Sequence, residues 1–368
     1  MAKGFAPLTG LRVVELAQNL AGPWCARILA DLGATVVKVE PPAGDSARAW
    51  GPPFDHGMGT LFTVANPGKR LIRLDLKQPE GRDRLTELLA EADVLVESFR
   101  PGALESLGFG DSEVAAAHPR LIRASVRAYG DRGPLTHLPG YEPLMQAHAA
   151  MMSYTGEKGG EPVRVGTSVV DLGTGMWLAI GVLSALRERE STGAGMRVSA
   201  SLFDTALSWG GYHLLGVLAG GPTPQPQGTG LPMICPYGAY RTSDGSLMIA
   251  VGNDGLFERF AKAVGRAEWL NDPRFATNPH RVANREILEP QVHDATGAFT
   301  SSSLLFALQQ AGVPAAPIQN VTELATDPQT AASEMVEQRD DQPSGIRMPL
   351  RFDGERPELP DWDTESGD

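Results

Sequence analysis

The chain has 368 residues, of which 42% are hydrophobic, so it can bury a sizeable core and is expected to form two domains. Its formal net charge of −12 argues against nucleic acid and anionic membranes as partners, because both attract concentrated positive charge. Two cysteines, Cys25 and Cys235, provide neither a disulfide framework nor a metal cluster, which favours a reducing cytoplasm.

The N-terminal sequence MAKGFAPLTGLRVVELAQ has no basic segment followed by a long apolar one. We therefore expect no cleaved leader. No apolar run reaches the roughly 18 residues that a membrane span needs, so no membrane association is predicted.

Predicted strands and helices alternate along the first hundred residues. Residues 11–17 and 35–39 are apolar runs typical of buried strands, and between them WCARILADLG has apolar residues four positions apart, which predicts a helix. Residues 71–76, 79–92 and 94–96 repeat the strand, helix, strand pattern. This alternation predicts an α/β fold with a parallel sheet covered by helices.

The stretch VVDLGTGMWLAIGVLSAL, residues 169–186, contains a single carboxylate, Asp171. We predict a helix over residues 173–190, apolar nearly all round in its first half and therefore buried. Asp171 would lie at a strand-to-helix junction, where free backbone amides and the positive end of the helix stabilise a carboxylate. Gly173 and Gly175 would leave open space beside it. The spacing leaves two roles open for Asp171, a helix cap or a nucleophile.

A change of composition marks a second domain. Residues 220–232, GGPTPQPQGTGLP, are rich in proline and glycine, as is typical of a linker. YGAYRTSDGSLMIAVGN then predicts a β-hairpin around Asp244 and Gly245, and helical patterns follow. We predict a linker and a smaller α+β domain over residues 222–314. The last stretch, RFDGERPELPDWDTESGD, has no apolar periodicity and is expected to be a loose or extended tail.

Longer motifs carry a family resemblance. They occur in order over most of the first 200 residues, and PYGAYRTSDG matches further on. The stretches are PLTGLRVVELAQNLAGPWCARILADLGATVVKVEPPAGD, NPGKRLIRLDLKQPEG, VESFRPGALESLGF, GYEPLMQAHAAMMSYTGEKGGEPVRVG and VVDLGTGMWLAIGVLSALRERESTGAGMRV. On these motifs the chain resembles the class III coenzyme A transferases of the CaiB/BaiF type, a group that includes formyl-CoA and carnitine-CoA transferases and 2-methylacyl-CoA racemases.

The resemblance implies an architecture. A large Rossmann-like CoA-binding domain would combine residues 1–221 with a returning segment, residues 315–368, and the smaller domain would lie between them in sequence. Two chains of this family interlock like links, so an interlocked homodimer is implied.

The resemblance also implies a chemistry. By position, Asp171 matches the aspartate that attacks the acyl-CoA thioester, giving a mixed anhydride and then an aspartyl-CoA thioester. A carboxylic acid acceptor would collect the CoA. The implied substrates are an acyl-CoA and a small carboxylic acid, with no metal and no permanently bound cofactor.

Residues 140–142 bear on whether the chain would catalyse CoA transfer or racemisation, the two reactions found in the family. The racemases use a histidine with the aspartate to move an α-proton, whereas this chain has Gly140-Tyr141-Glu142 at the matching place. Tyr141 does not readily replace a histidine at neutral pH, and tyrosine followed by glutamate is similar to the transferases, where the pair lines the active site. His137 and His148 lie nearby in sequence and keep a racemase as the alternative.

Several positions match motifs that border CoA in relatives. Cationic groups are needed there to bind the CoA phosphates on an acidic protein. The N-x-x-K-R pattern of Asn66, Lys69 and Arg70 belongs to the same motifs. The predicted CoA-binding residues are Asn19, Leu20, Ala21, Leu74, Lys77, Phe99 and Arg100.

Some features depart from the family or favour rivals. Leu20 stands where oxalate-linked transferases carry glutamine, and no long glycine-rich loop lies in residues 220–232, so oxalate is not expected as a substrate. The chain also ends without the expected final helix. Glu40 stands where an oxidoreductase would bind a nucleotide ribose, but AQNLAGPW lacks the G-x-G-x-x-G fingerprint. An inactive binding protein is the remaining rival, and the glycine-flanked Asp171 argues against it.

Overall fold

The computed structural model describes residues 5–362, and the chain divides into two compact units. The larger unit takes the chain up to Ala149, residues Gly166–Gly211 and the chain from Asp327 onwards, and the second unit takes Ala150–Val165 and Tyr212–Thr326. The second unit begins before and ends after the predicted small domain, residues 222–314, and it also includes a separate stretch that sequence patterns do not single out.

The larger unit alternates strands and helices over most of its length. In chain order its first elements are β1 (Arg12–Glu15), α1 (Ala21–Asp31), β2 (Thr35–Glu40), β3 (Phe54–Asp55), β4 (Met58–Gly59), α2 (Thr60–Ala65), β5 (Lys69–Arg73), α3 (Pro79–Ala90), β6 (Val94–Glu97), α4 (Ala103–Ser106), α5 (Asp111–Ala117), β7 (Ile122–Arg127), α6 (Glu142–His148), α7 (Val169–Thr192), β8 (Arg197–Ser201) and α8 (Leu202–Trp209).

Six of these strands form one parallel sheet in the order β5-β2-β1-β6-β7-β8. In the centre of the sheet, Val14 of β1 pairs with Val37 of β2 on one side and with Leu95 of β6 on the other. Helix α3 covers one face, where Leu85 and Leu89 are buried against the strand side chains. The predicted α/β class and its parallel sheet are confirmed.

Helix α7 differs from the prediction in its start and in its burial. It begins at Val169, so Asp171 is the third residue of its first turn and does not lie at a junction before the helix. Met176, Trp177 and Ile180 are each about half exposed, so the expectation of a helix buried all round is wrong for the single chain. The reason is that α1, β7, β8 and α8 pack against one side of α7 only.

The same helix bears on the question of a membrane span. Within residues 5–362, α7 is the one helix long and apolar enough to cross a membrane by length and composition. A core helix of a soluble protein meets the same criterion, and residues such as Leu178 and Val182 of α7 are fully buried in the larger unit.

The second unit is an α+β assembly around a three-stranded sheet. Its elements are α9 (Gly211–Leu218), β9 (Tyr237–Arg241), β10 (Ser246–Ala250), α10 (Asp254–Ala263), α11 (Asn278–Ala283), α12 (Arg285–Gly297), α13 (Ser301–Gln310), β11 (Ala315–Pro317) and α14 (Val321–Ala325). The hairpin predicted around Asp244 is confirmed as β9 and β10, which pair antiparallel. Phe257, Phe260 and Trp269 are central to its core.

The chain from Asp327 returns to the larger unit through α15 (Pro328–Ser333), β12 (Val336–Glu337) and β13 (Gly345–Ile346). The buried guanidinium of Arg27 donates to the carbonyl of Ile346, and the Trp362 ring packs on Phe62. The tail is therefore not loose as far as residue 362, because Leu359 and Trp362 bury their apolar side chains, while the other expectation, an extended tail, agrees with residues 356–362, which form no helix. The rest of that tail, residues 363–368, lies outside the described residues.

Candidate active site

Asp171 is placed by the packing of the helix turn that follows it. A Cβ at Gly175 would lie 2.5 Å from the carbonyl oxygen of Ala21 in α1, and a Cβ at Gly173 would lie 2.2 Å from the Trp209 ring. The expectation that these glycines leave open space is wrong, because α1 and α8 fill that space. Residues four apart share a helix face, so Asp171 lies one turn before Gly175 on the side of α7 that faces the start of α1.

Glu142 lies at the same end of α7. Its side chain is only 2% exposed, and its Oε1 atom accepts hydrogen bonds from Nε2 of Gln146, at 2.5 Å, and from the backbone nitrogen of Val170, at 3.5 Å. A carboxylate at this position satisfies one of the free amides of the first helical turn. The structure thus brings Glu142 beside the residue that precedes Asp171.

Tyr141 immediately precedes α6 and is 59% exposed. Gly140 before it is held close to the end of β7, since a Cβ there would lie 2.7 Å from the Cβ of Ala128. This close approach directs the chain from the sheet edge into α6. The tyrosine and glutamate therefore differ in accessibility, the first on the surface and the second inside.

Both histidines near this segment are exposed. His148 in addition packs its ring edge-on against Tyr129 and Phe203, with its Nδ1 atom 3.3 Å from the Tyr129 hydroxyl. His148 is thus engaged by an aromatic cluster at the end of α6.

The predicted CoA-binding residues lie at one edge of the parallel sheet. Asn19, Leu20 and Ala21 follow β1, Leu74 and Lys77 follow β5, and Phe99 and Arg100 follow β6. In this sheet β5 and β6 are separated by three strand spacings, roughly 14 Å, so the set extends across the carboxyl edge where open α/β sheets bind ligands. Lys77 and Arg100 are exposed there, whereas the Leu20 side chain is buried.

The N-x-x-K-R residues divide between the interior and the surface. Asn66 and Lys69 are fully buried, and Nζ of Lys69 donates to Glu15, Asn66 and the carbonyl of Pro23. Burial lowers the pKa of Lys69 to about 8. Arg70 is exposed. Lys69 is therefore a core residue, and its ammonium group is not available on the surface for a phosphate.

A cavity of about 260 Å³ lies beside Phe99 and Arg100, against β6, β7 and β8. Arg127 and Glu97 both line the cavity and form an ion pair at 2.7 Å. Burial raises the pKa of the Glu97 carboxyl despite this partner. Sequence patterns do not single out Arg127 or the other cavity arginines. A signal was present, because polar residues alternate with apolar ones in the strand sequence IRASVR, which places both arginines on one face.

Metal and thiol chemistry receive no support from the described residues. Within residues 5–362, no three His, Cys, Asp or Glu side chains are grouped so that they could hold a metal ion. Cys25 and Cys235 are free and buried, and burial raises the pKa of both thiols. Neither thiol is activated as a nucleophile.

Comparisons of the whole sequence with known proteins point to one family. The chain matches CoA-transferase family III over residues 8–362. It is 37% identical to an acetyl-CoA:oxalate CoA-transferase of Acetobacter aceti, over 99% of this chain and 95% of that protein. It is also 37% identical to a succinate–glutarate CoA-transferase of Agrobacterium fabrum, over 89% of this chain and 83% of that protein.

Solved structures give the same answer for the fold. A CAIB/BAIF family protein from Brucella suis superposes with a TM-score of 0.86 at 38% identity, covering 99% of this chain and 97% of that one. A hypothetical protein from Mycobacterium tuberculosis superposes with a TM-score of 0.87 at 30% identity, covering 97% of this chain and 96% of that one. The sequence and the fold together show that the chain belongs to CoA-transferase family III and is a CoA-transferase.

Proposed function

We propose that the chain transfers CoA between two carboxylic acids through covalent intermediates on Asp171. A carboxylate oxygen of Asp171 attacks the thioester carbonyl, the C–S bond breaks, and CoA leaves as the thiolate, giving a mixed anhydride. The thiolate then attacks the aspartyl carbonyl, which releases the donor acid and leaves an aspartyl-CoA thioester. The acceptor carboxylate repeats the two steps in reverse and restores Asp171. One carboxylate replaces another, so the cycle balances without a redox cofactor.

The position of Asp171 is the observation that carries this proposal. The next turn of α7 packs against the start of α1 through Gly175 and Ala21, so Asp171, one turn earlier on the same helix face, is near the loop that follows β1. That loop, at the carboxyl edge of the sheet, contains the predicted CoA contacts Asn19 and Leu20. Backbone amides at the starts of α1 and α7 are suited to stabilising the oxyanion that forms when a carboxylate attacks a thioester.

Tyr141 and Glu142 are proposed to complete the catalytic site. Glu142 is buried at the start of α7, beside the residue that precedes Asp171, whereas the Tyr141 ring is exposed to an incoming substrate.

The predicted CoA contacts are proposed to bind along the carboxyl edge of the sheet. The exposed cations Lys77 and Arg100 are suited to the CoA phosphates, and Phe99 offers an aromatic surface beside Arg100. Leu20 is buried, so its contribution to this set is its backbone, at the start of α1.

Dicarboxylic acids are the substrate class that we propose. The two relatives named above act on oxalate and on succinate and glutarate, and a further relative from Haloarcula hispanica is a succinyl-CoA:mesaconate CoA-transferase. All of these acids carry two carboxyl groups. The absence of glutamine at position 20 argues against oxalate for this chain, so we expect a longer diacid, such as glutarate or mesaconate, with succinyl-CoA as a donor.

A homodimer, interlocked as in the family, is proposed on the basis of exposed apolar surface. Helix α9 has no buried residue, and its Leu215 and Leu218 side chains are 66% and 73% exposed. The exposed face of α7 adds Met176, Trp177 and Ile180. Apolar patches of this kind are typical of interfaces, and a second copy is the partner that the family architecture supplies. We also propose a cytoplasmic location, where acyl-CoA is available.

Trapping the intermediate tests the nucleophile. The protein is incubated with acetyl-CoA or succinyl-CoA and a panel of acids, hydroxylamine is added, and peptides are analysed by mass spectrometry. We expect a hydroxamate at Asp171 within residues 165–187, and no hydroxamate and no transfer in the Asp171→Asn variant, because an amide is a poor nucleophile.

Asp204 provides the matched control, since it is exposed and is the third residue of α8 just as Asp171 is the third residue of α7. Asp204→Asn should lose the same helix-end charge and keep full activity. A purely structural Asp171 predicts the reverse, namely no adduct with any donor and an active Asp171→Asn variant.

A further inference from the structure

Four charged side chains are fully buried beneath the loop that joins β1 to α1. They are Glu15, Lys38, Asp45 and Lys69, and none of the ion-paired side chains has exposed surface. Nζ of Lys38 lies 2.9 Å from Glu15 and 3.0 Å from Asp45, and Nζ of Lys69 lies 2.7 Å from the second oxygen of Glu15. We call these four residues the buried quartet.

The buried quartet also bonds to the backbone of the loop at three points. Lys38 donates to the carbonyl of Ala17 at 2.7 Å, and Lys69 donates to the carbonyl of Pro23 at 2.8 Å. Asp45 accepts from the backbone nitrogen of Asn19 at 3.2 Å. The beginning of the loop, its middle and the first turn of α1 are therefore each attached to a charged group.

The hydrogen bond from Asn19 to Asp45 holds Asn19 in an unusual backbone conformation. Asn19 has a φ of 67°, in the left-handed region that non-glycine residues seldom adopt. Besides the bond to Asp45, its side-chain oxygen accepts from the hydroxyl of Ser46 at 2.8 Å. Such a conformation persists only where surrounding contacts determine it. Asp45 and Ser46 supply those contacts.

Stability alone does not account for the buried quartet. Removing four charged groups from water is costly, and apolar side chains of similar volume commonly hold strands together as well or better. What apolar side chains cannot do is bond to the carbonyls of Ala17 and Pro23 and to the amide of Asn19. Burial alone would lower the pKa of Lys38, but Glu15 and Asp45 outweigh it and raise that pKa above its ordinary value.

We propose that Lys38 is a positioning residue, which acts through Ala17 and Asp45 to hold the β1–α1 loop in the shape that receives the CoA thioester. The inference rests on the proposed function, since it assumes that Asn19, Leu20 and Ala21 contact CoA. Lys38 itself touches no substrate, because it is fully buried.

Substitution of Lys38 tests this role with two measurements. Lys38→Met removes the ammonium group and keeps much of the volume. Peptide hydrogen exchange over residues 17–24 should become at least tenfold faster, because the Ala17 carbonyl loses its donor and Asp45, the acceptor of the Asn19 amide, loses the cation that fixes it. Titration should show CoA binding weakened at least fivefold.

Arg27→Met is the matched control. Arg27 is equally buried, lies in α1 and forms a buried pair with Asp31, but its other bonds are to the carbonyls of Val64 and Ile346, away from the loop. We expect this variant to be destabilised toward urea while loop exchange and CoA affinity stay within twofold of wild type. Equal effects of the two substitutions on loop exchange and CoA binding would overturn the proposal.

A milder variant covers the case in which Lys38→Met does not fold. Ser46→Ala removes an exposed hydroxyl and with it the bond to the Asn19 side chain. We expect faster exchange in residues 17–24 and CoA binding weakened about twofold to fivefold, and no change in either would contradict the positioning role. If wild type itself fails to bind CoA, the proposed function fails, while the exchange measurement still decides whether Lys38 orders the loop.

Discussion

Gly175 and Ala21 approach so closely that a Cβ at position 175 would lie 2.5 Å from the Ala21 carbonyl oxygen. Gly175→Ala must therefore push α7 away from α1 and move Asp171 relative to the β1–α1 loop. We expect a loss of about 1–3 kcal/mol in the free energy of unfolding, as for other overpacked cores. We also expect a fall in kcat of roughly 100-fold, because small misplacements of a nucleophile are costly.

Urea denaturation and steady-state kinetics measure the two effects. Gly297→Ala is the control, since Gly297 ends α12 and a Cβ there meets nothing within 4 Å. That variant should retain wild-type stability and activity. A Gly175→Ala variant with unchanged kcat would show that the contact does not position Asp171.

Arg100→Ala tests the CoA contacts at the end of β6. If the exposed guanidinium meets a CoA phosphate or the adenine ring, its loss should weaken CoA binding by about 1–3 kcal/mol without unfolding the protein. Calorimetric titration with CoA gives the affinity. Arg84→Ala, on the exposed side of α3 where Arg84 pairs with Glu87, should bind CoA like wild type. Unchanged affinity in Arg100→Ala would remove that residue from the site.

Isotope exchange separates CoA transfer from racemisation. Proton abstraction would exchange the α-hydrogen of a 2-methylacyl-CoA with solvent deuterium, whereas thioester attack by Asp171 leaves that bond untouched. We expect no protein-dependent incorporation by mass spectrometry in deuterated buffer. Rapid deuterium incorporation would contradict CoA transfer and would make His148, which bonds to the Tyr129 hydroxyl, and His137 the candidate bases of a racemase.

Asp244 links pH to the stability of the second unit. The backbone nitrogen of Ser301 and then its hydroxyl donate to the Asp244 carboxylate, which lowers the pKa of that group. A carboxyl whose pKa is lowered by folding adds stability above its unfolded pKa of about 3.9, and that stability is lost as the pH falls through the folded value. Asp244→Asn should therefore reduce the urea midpoint at pH 7.

The difference in urea midpoint between wild type and Asp244→Asn should shrink below about pH 4 and disappear once wild-type Asp244 is protonated. Urea titrations of both proteins at pH 7, 5 and 3 measure this difference. Asp294→Asn, an exposed aspartate of α12, corrects for the general effect of removing a negative charge. A difference between wild type and Asp244→Asn that is equally large at pH 3 and pH 7 would contradict the link.

Local sequence patterns determined the fold class, the β9–β10 hairpin and the family of this protein. The alternation of apolar runs and amphipathic segments was sufficient for the parallel sheet, because buried strands and amphipathic helices have different periodicities that neighbouring residues alone express. The Asp244-Gly245 turn likewise predicted the β9–β10 hairpin. The order of the long motifs was sufficient for the family, since those motifs combine many positions at once.

Tertiary contacts decided where the helix that carries Asp171 begins and how its glycines pack. Helix α7 begins at Val169 with a bond from Val170 to Glu142, a residue 28 positions away, so no local pattern could place that start. The glycines at positions 173 and 175 are compatible with open space or with close packing, and only Trp209 and Ala21 distinguish the two. The charges of Glu15 and Lys38 stand inside apolar strands, and only the fold brings them together.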